Sequence, residues 1–110
     1  MVSFGEVRAL ALALPEGMEA DHHGFPSFRV AGKIFATLKR EPAHLMVKLD
    51  PEDQLNLCEG HPDLMTPVPG YWGRKGSTWV DYERADPDLI ETLLHLAWSG
   101  VVPRRLRRTG

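Results

Sequence analysis

The chain has 110 residues, of which 43% are hydrophobic and 25% are charged. This length suits one small domain, and the composition is that of a globular protein, which excludes disorder or low complexity along the whole chain. No apolar run is long enough to span a membrane, the first residues lack the pattern of a signal peptide, and Cys58 has no partner for an internal disulfide. We therefore expect a cytoplasmic protein that makes no membrane contact.

Charge is unevenly distributed along the chain. The sequence has 13 Lys and Arg residues against 15 Asp and Glu residues, for a net charge of -2. Four arginines lie close to the C-terminus, at Arg104, Arg105, Arg107 and Arg108, so the tail is basic and the rest of the chain is acidic. A basic tail can bind phosphate backbones by releasing counterions, but a solvated terminus that binds nothing has the same composition.

The first half of the chain predicts one helix followed by an antiparallel meander. Ser3 and Glu6 have the spacing of a capping box, and apolar residues then recur at helical spacing over residues 4–14. Over residues 18–49 the hydrophobic period changes to two, which is typical of strands with one buried face. This pattern predicts three strands, with a further short strand before them over residues 19–23.

The second half predicts two helices with strands between them. Asp50-Pro51 and Asp86-Pro87 each combine an N-cap residue with proline at the first helical position. We expect the last helix to span about Pro87 to Ser99. Between the two helices, Gly73-Arg74-Lys75-Gly76 is flanked by aromatic segments, which predicts a hairpin with a basic tip.

Together these elements predict an α+β fold, with an antiparallel sheet of about five to six strands and helices packed on it. The expected order is α-β(3-4)-α-β(2)-α. Because no shift in composition divides the chain, we expect a single domain over residues 1–103, followed by a basic tail over residues 104–110. We expect one or both faces of the sheet to be buried, and the strand residues expected to point to these faces are Phe28, Val30, Ile34, Leu45 and Val47.

Short motifs along nearly the whole chain carry a resemblance to a known family. They are His22-His23-Gly24-Phe25-Pro26-Ser27-Phe28-Arg29-Val30, Gly32-Lys33-Ile34-Phe35-Ala36, Met46-Val47-Lys48-Leu49, Pro69-Gly70-Tyr71-Trp72-Gly73, Thr78-Trp79-Val80 and Val102-Pro103-Arg104-Arg105-Leu106. Together these segments resemble the MmcQ/YjbR-like family. The resemblance implies a compact fold like that of type III secretion chaperones, described as α-β(3)-α-β(2)-α. It also implies DNA binding through two hairpin wings, and it implies no catalytic residues.

Basic residues near the predicted turns are the candidates for nucleic-acid binding. Lys33 follows the Ala31-Gly32 turn, Arg40 begins the next turn, and Arg74 and Lys75 form the predicted third tip. With two arginines of the tail, the full candidate set is Lys33, Arg40, Arg74, Lys75, Arg104 and Arg105. Such cations can hold phosphates while neighbouring indole rings stack on bases.

A second group of residues combines imidazole, guanidinium and indole side chains. His22, His23, Arg29, Trp72 and Trp79 could line a cleft that binds a small molecule or supports a reaction. The same residues also fit ordinary packing, since a tryptophan in a small domain is commonly a core or rim residue. Adjacent histidines in a regular strand point to opposite faces, so we predict no metal site at His22 and His23, and no cofactor.

Three hypotheses about function follow from these observations. The first, favoured by the resemblance, is weak and sequence-tolerant DNA binding through the hairpin tips and the tail, although the acidic body argues against strong binding. The second is a protein-interaction module with a chaperone-like fold, and the third is a small-molecule binder or enzyme that uses the cleft. No phosphate-binding loop or hydrolase motif occurs, so binding is favoured over catalysis. A contiguous basic face would support the first hypothesis, and an apolar cleft with convergent polar groups would support the third.

Overall fold

A computed structural model describes residues 2–103, which form a six-stranded antiparallel sheet and four helices. In chain order the elements are α1 (Phe4–Leu12), β1 (Met18–His22), β2 (Phe25–Val30), β3 (Lys33–Arg40), β4 (Ala43–Lys48), α2 (Pro51–Gly60), β5 (Met65–Pro67), α3 (Tyr71–Arg74), β6 (Ser77–Val80) and α4 (Pro87–Val101). The strands are arranged in the order β1-β2-β3-β4-β6-β5. The predicted α+β class and the predicted number of strands are confirmed.

The three long helices begin where their capping residues predict. In α1, the Ser3 hydroxyl accepts from the Glu6 N–H, while the Glu6 carboxylate accepts from the Ser3 N–H, each at 3.1 Å. Asp50 and Asp86 cap α2 and α4 by accepting from the backbone N–H two residues later. These bonds satisfy donors that have no partner within the helix. The helix ends were less predictable: α1 stops at Leu12, and α4 continues past Gly100 to Val101.

Tight turns join the first three strands. His23 and Gly24, between β1 and β2, have φ of 54° and 92°, and Ala31 and Gly32, between β2 and β3, have φ of 51° and 78°. Two consecutive residues with positive φ match the right-handed twist of the flanking strands, which makes this turn type common in two-residue hairpins. The Ala31-Gly32 turn is as predicted, whereas His23 belongs to a turn and not to β1.

Helices α1 and α4 cover one face of the sheet, which we call the inner face. Helix α4 contacts β3 and β4, and α1 contacts α4 and β3. The inner face carries the hydrophobic core, and its fully buried strand side chains include Phe28, Val30, Ala36, Leu38, Leu45, Val47 and Val80. The opposite face, which we call the outer face, is covered by neither α1 nor α4.

A bulge in β3 changes which residues face the core. Phe28 pairs with Ala36 but Arg29 pairs with Ile34, so Phe35 is an extra residue in β3. Phe35 is consequently buried, while Ile34 is half-buried on the outer face. The prediction that Ile34 shares a face with Ala36 and Leu38 is therefore wrong, because strict alternation does not allow for a bulge.

The predicted hairpin around Gly73-Arg74-Lys75-Gly76 is also wrong. Residues Tyr71–Arg74 form the short helix α3, and β6 pairs with β4 and with the edge strand β5 instead. Gly73 lies so close to the preceding loop that an added Cβ would be 1.7 Å from the Val68 carbonyl oxygen. This close approach lets the segment fold back as a helical turn, so Arg74 and Lys75 are not at a hairpin tip.

Candidate binding cleft on the sheet

Cross-strand pairing arranges the outer-face side chains in rows. In the middle row, Ser27 pairs with Thr37, Thr37 with Met46, and Met46 with Trp79. Side chains two residues apart on a strand share a face. The outer face therefore also carries Lys39, which pairs with His44, and Lys48, which pairs with Ser77.

These rows form the floor of a cleft of about 390 Å³. Its lining comes from every strand except β5, together with α3 and the loop before α3: His22, Phe25, Ile34, Thr37, Lys39, His44, Met46, Lys48, Val68, Trp72, Ser77 and Trp79. Most of this surface is apolar or aromatic, and no Asp or Glu of residues 2–103 contributes to it. The cleft thus combines flat ring surfaces with two cations.

His44 and Trp79 form the aromatic centre of the cleft. Their rings are stacked, with centroids 5.1 Å apart and an interplanar angle of 14°. Burial lowers the pKa of His44, and the positive charge of Lys39 lowers it further. His44 is therefore a neutral imidazole at pH 7, so its ring extends the flat surface of the indole without adding a charge.

A buried glutamine positions the segment that carries Trp72. The side-chain amide of Gln54, on α2, donates to the carbonyls of Gly73 and Ser77 at 2.9 Å and 3.1 Å, and it also contacts the Thr78 hydroxyl at 3.1 Å. These bonds fasten α3 to the start of β6. Trp72 is held at the rim of the cleft although its own side chain is 60% exposed.

The outer face carries cations in an otherwise acidic protein. Arg29 lies on the same face as Ser27, and its guanidinium Nε donates to the Ser27 hydroxyl at 3.1 Å. The ammonium of Lys39 lies 4.6 Å from the centre of the Phe25 ring, within cation–π range. With Lys48, these residues place three positive charges on the outer face. An anion approaching it meets a favourable local field despite the net charge of -2.

The predicted cleft residues are partly brought together. His22, Trp72 and Trp79 line the cleft, whereas Arg29 is on the same face outside the lining. His23 lies in the β1–β2 turn, and its ring meets that of His22 edge-on, with centroids 4.5 Å apart. The expectation of opposed rings assumes a regular strand, and the left-handed backbone at His23 places this residue in the turn instead.

The predicted basic residues do not form one surface. Lys33 begins β3, and the antiparallel strand β4 ends beside it. The last residue of β4 pairs with the first residue of β6, and Lys75 lies just before β6. Lys33 and Lys75 are therefore at the same end of the sheet. Arg40 ends β3, about 23 Å from Lys33 at the usual strand rise. Its guanidinium packs on the Phe4 ring at 3.8 Å, under the opposite end of the sheet. Arg104 and Arg105 lie outside the described residues.

Several cleft residues were missed by the sequence reasoning. Phe25, Lys39, His44, Met46 and Lys48 line the cleft but were not among the predicted cleft residues. A signal was present, because His44, Met46 and Lys48 alternate with the buried residues of β4. The solvated face of an antiparallel sheet is typically polar throughout, so an imidazole and a thioether in this alternation indicate a surface of a different kind.

Residues 2–103 contain neither a metal-binding cluster nor a membrane-spanning helix. No group of three or more His, Cys, Asp or Glu side chains in this range could hold a metal ion. Within the same range, no helix is long and apolar enough to cross a membrane.

Comparison with known proteins identifies the family of the chain. A search of curated proteins finds no match. Among solved structures, the chain is similar to the crystal structure of Deinococcus radiodurans protein DR2400, of domain family DUF419, with 21% identity and a TM-score of 0.76. The match covers 99% of this chain and 88% of that one, and it shows a shared fold. The YjbR family model matches residues 12–99, which is most of the chain. The chain therefore belongs to the YjbR family.

Proposed function

We propose that this protein binds an organic anion with a planar apolar part in the outer-face cleft. The observation that carries the proposal is the lining, in which the rings of Phe25, His44, Trp72 and Trp79 lie beside two lysines and no carboxylate of residues 2–103. Ligand sites are typically apolar concavities with a few convergent polar groups. The rings offer stacking surfaces, and the lysines offer a favourable field for a negative charge.

Exposed aromatic area supports the same proposal. Trp72 is 60% exposed and Trp79 is 37% exposed, although both are large and apolar. By contrast, Trp98 on α4 is buried, and its indole N–H donates at 3.0 Å to the carbonyl of Pro15, in the segment after α1. Contiguous apolar surface left open to water is a common mark of a binding site. Two of the three tryptophans therefore remain available for stacking on a ligand.

Binding is favoured over catalysis by the hydrogen bonding within the cleft. Covalent catalysis typically needs a nucleophile that is hydrogen-bonded to a base. Among residues 2–103, no hydrogen bond joins the hydroxyl of Thr37 or Ser77 to an imidazole. The thiol of Cys58 is outside the cleft, and burial raises its pKa, which disfavours the reactive thiolate.

A fluorescent anion with a planar naphthalene ring tests the proposed function. Titration of the folded protein with anilinonaphthalene sulfonate at neutral pH should show saturable binding and enhanced dye emission. Trp79→Ala removes the central stacking surface, so we expect its dissociation constant to rise by about fivefold or more. The matched control is Leu55→Ala, which removes an exposed apolar side chain, 59% accessible, from α2 outside the cleft.

The two variants distinguish binding of the dye in the cleft from nonspecific binding to exposed apolar surface. Circular dichroism and urea melts must first show that both variants are folded. Weakened binding in Trp79→Ala and unchanged binding in Leu55→Ala support the proposal. Equal binding by the wild type and both variants, or no saturable binding at all, contradicts it.

Nucleic-acid binding is a second candidate function, and it rests on the cations at one end of the sheet. Lys33, Lys48 and Lys75 all lie at this end, with Arg74 on the neighbouring helix α3. Such a cluster can contact phosphates without reading bases, so weak and sequence-tolerant binding is expected. Arg40 lies too far away to belong to this phosphate-binding cluster. The tail arginines Arg104 and Arg105 would add positive charge to the DNA-binding surface.

The salt dependence of DNA binding tests this second candidate. Each phosphate contact should contribute about -0.9 to the slope of log binding constant against log salt, and the whole protein should give about -2 to -4 on duplex DNA. Replacing Arg74 and Lys75 together with alanine should flatten the slope by up to about two. Arg40→Ala is the control, because it removes one cation at the other end of the sheet. Undetectable binding in low salt, or an unchanged slope in the double variant, contradicts this candidate.

A cytoplasmic location and a protein partner are two further proposals. A cytoplasmic location is consistent with the single unpaired thiol of Cys58, since proteins of reducing compartments keep their cysteines free. A protein partner is the remaining alternative, and the exposed side chains of Leu55 and Tyr71 offer apolar contact area for it. Loss of binding to both the dye and DNA would make the protein partner the leading hypothesis.

A further inference from the structure

The cleft has one lysine near each end. Lys39 pairs across the sheet with His44, and Lys48 lies four residues farther along β4. At the usual rise per strand residue, this separation is about 13 Å along the strand. Lys39 and Lys48 both line the cleft, so their side chains mark the two ends of one surface.

An uncharged floor lies between the two lysines. Met46 is midway between His44 and Lys48 on β4, and it pairs with Trp79 on β6. Trp72 adds a second indole at the rim. A ligand that follows β4 from one lysine to the other would therefore lie on thioether and ring surfaces, with polar contacts concentrated at its two ends.

Neither lysine is neutralised by its surroundings. The ion pairs within residues 2–103 are Arg8 with Glu19 and Arg84 with Asp81, and neither involves the cleft. The Phe25 ring lies 4.6 Å from the ammonium of Lys39 and stabilises it at its own end of the cleft. A ligand with a single charge would leave one ammonium group without an anionic partner.

We infer that the ligand carries an acidic group at each end of a planar apolar core, one group for each lysine. This inference rests on the proposed function and adds the charge and the length of the ligand to it. The central stacking on Trp79 supplies affinity for the core of the ligand, and the two lysines select for the anionic ends. A planar molecule with one acidic group satisfies only half of the site.

Two probes with the same core test the inference. Para-linked biphenyl dicarboxylate has an acidic group at each end, and biphenyl monocarboxylate lacks one of them. Quenching of tryptophan emission in the folded, full-length protein gives the dissociation constant of each probe. We expect the dicarboxylate to bind about three- to tenfold more tightly, which is the range of one additional charged contact at a partly exposed site.

Charge-removing variants identify which lysines are responsible. Lys39→Gln and Lys48→Gln should each weaken the dicarboxylate about three- to tenfold, to near the affinity of the monocarboxylate. The matched control is Lys33→Gln, which removes the same charge from an exposed position outside the cleft. We expect it to leave both dissociation constants within about twofold of the wild type.

The outcomes separate this inference from the proposed function. The inference is supported if the dicarboxylate binds the wild type and Lys33→Gln more tightly than the monocarboxylate does, and if this difference in affinity disappears in both Lys39→Gln and Lys48→Gln. Equal affinity for the two probes, with binding still weakened by Trp79→Ala, overturns the two-ended ligand and leaves the planar-anion cleft in place. If neither probe binds while anilinonaphthalene sulfonate still binds in a Trp79-dependent way, the inference is overturned and the proposed function stands. If the dye also fails to bind, both are overturned.

Discussion

The two faces of the sheet are built from the same strands but differ in what they bury. On β4, Leu45 and Val47 face the helices and are fully buried, while His44, Met46 and Lys48 face the opposite side and are only half-buried. The inner face has the aliphatic composition that drives folding. The outer face carries aromatic and basic side chains, an arrangement that folding alone does not require.

This difference separates the residues that stabilise the fold from those that line the proposed binding cleft. Removing an inner-face side chain leaves a cavity beneath α1 and α4, whereas the outer face already opens to water through the cleft. Mutations on the two faces should therefore affect different measurements.

The strongest contrast is within β3. Leu38→Ala, on the inner face, should lower the free energy of unfolding by about 2–5 kcal/mol, because the side chain is completely buried. Ile34→Ala, on the outer face, should cost about 1 kcal/mol or less, since Ile34 is half-buried and lines the cleft. Urea melts measure both values. An Ile34→Ala variant as unstable as Leu38→Ala would show that the outer face belongs to the core.

A glycine substitution tests how α3 is held against the cleft. Gly73→Ala would place a Cβ 1.7 Å from the Val68 carbonyl oxygen, so the backbone must move, at a cost of about 3 kcal/mol or more. Gly100→Ala in α4 is the control, because a Cβ there has nothing within 4 Å. Its stability should be unchanged or raised by up to about 1 kcal/mol. Equal denaturation midpoints for the two variants would contradict the observed packing of α3.

The hydrogen bonds of Gln54 give a smaller effect that links stability to binding. Gln54→Met removes the amide that donates to Gly73 and Ser77, so about 1–3 kcal/mol of stability should be lost. Because these bonds hold Trp72 at the rim, dye binding should also weaken. Asn56→Leu, at an exposed position of the same helix, should alter neither property. If the Gln54→Met variant is as stable as the wild type and binds the dye equally well, the hydrogen bonds of Gln54 do not position Trp72.

The smallest expected effect is a pH dependence at His44. Burial lowers the pKa of His44 below its ordinary value of 6.5, which the unfolded chain retains. Between the two pKa values the unfolded chain binds more protons, so the stability that neutral His44 contributes is present above about pH 6.5 and is lost as the pH falls. The wild type should therefore lose stability relative to His44→Gln between about pH 7.5 and pH 5. Urea melts at both pH values measure this difference, and a constant difference would contradict the burial of His44.

The inner face was largely predictable from the sequence, because strand alternation and helix capping are local signals. Phe28, Val30, Leu45 and Val47 were assigned correctly from a period of two. The exceptions arise where the backbone departs from regular geometry, as at the bulge that moves Ile34 to the outer face.

The cleft was less predictable, because it depends on contacts between distant segments. Trp79 and His44 are 35 residues apart in the chain, and only the pairing of β4 with β6 brings their rings together. Trp72 reaches the cleft because Gly73 packs against Val68 and is bonded by Gln54. No periodicity in the sequence encodes these contacts, so α3 was mistaken for part of a hairpin.

The central claim, that the outer face is the binding face, can be tested with the three tryptophans. Each indole N–H gives a separate signal in a proton–nitrogen correlation spectrum, and the three positions report different environments: Trp72 at the rim, Trp79 on the floor and Trp98 beneath the inner face. On titration with biphenyl dicarboxylate, we predict that the Trp72 and Trp79 signals shift with a common dissociation constant while the Trp98 signal stays in place. Shifts of Trp98 alone, or no shift of Trp79 at saturating probe, would contradict the account.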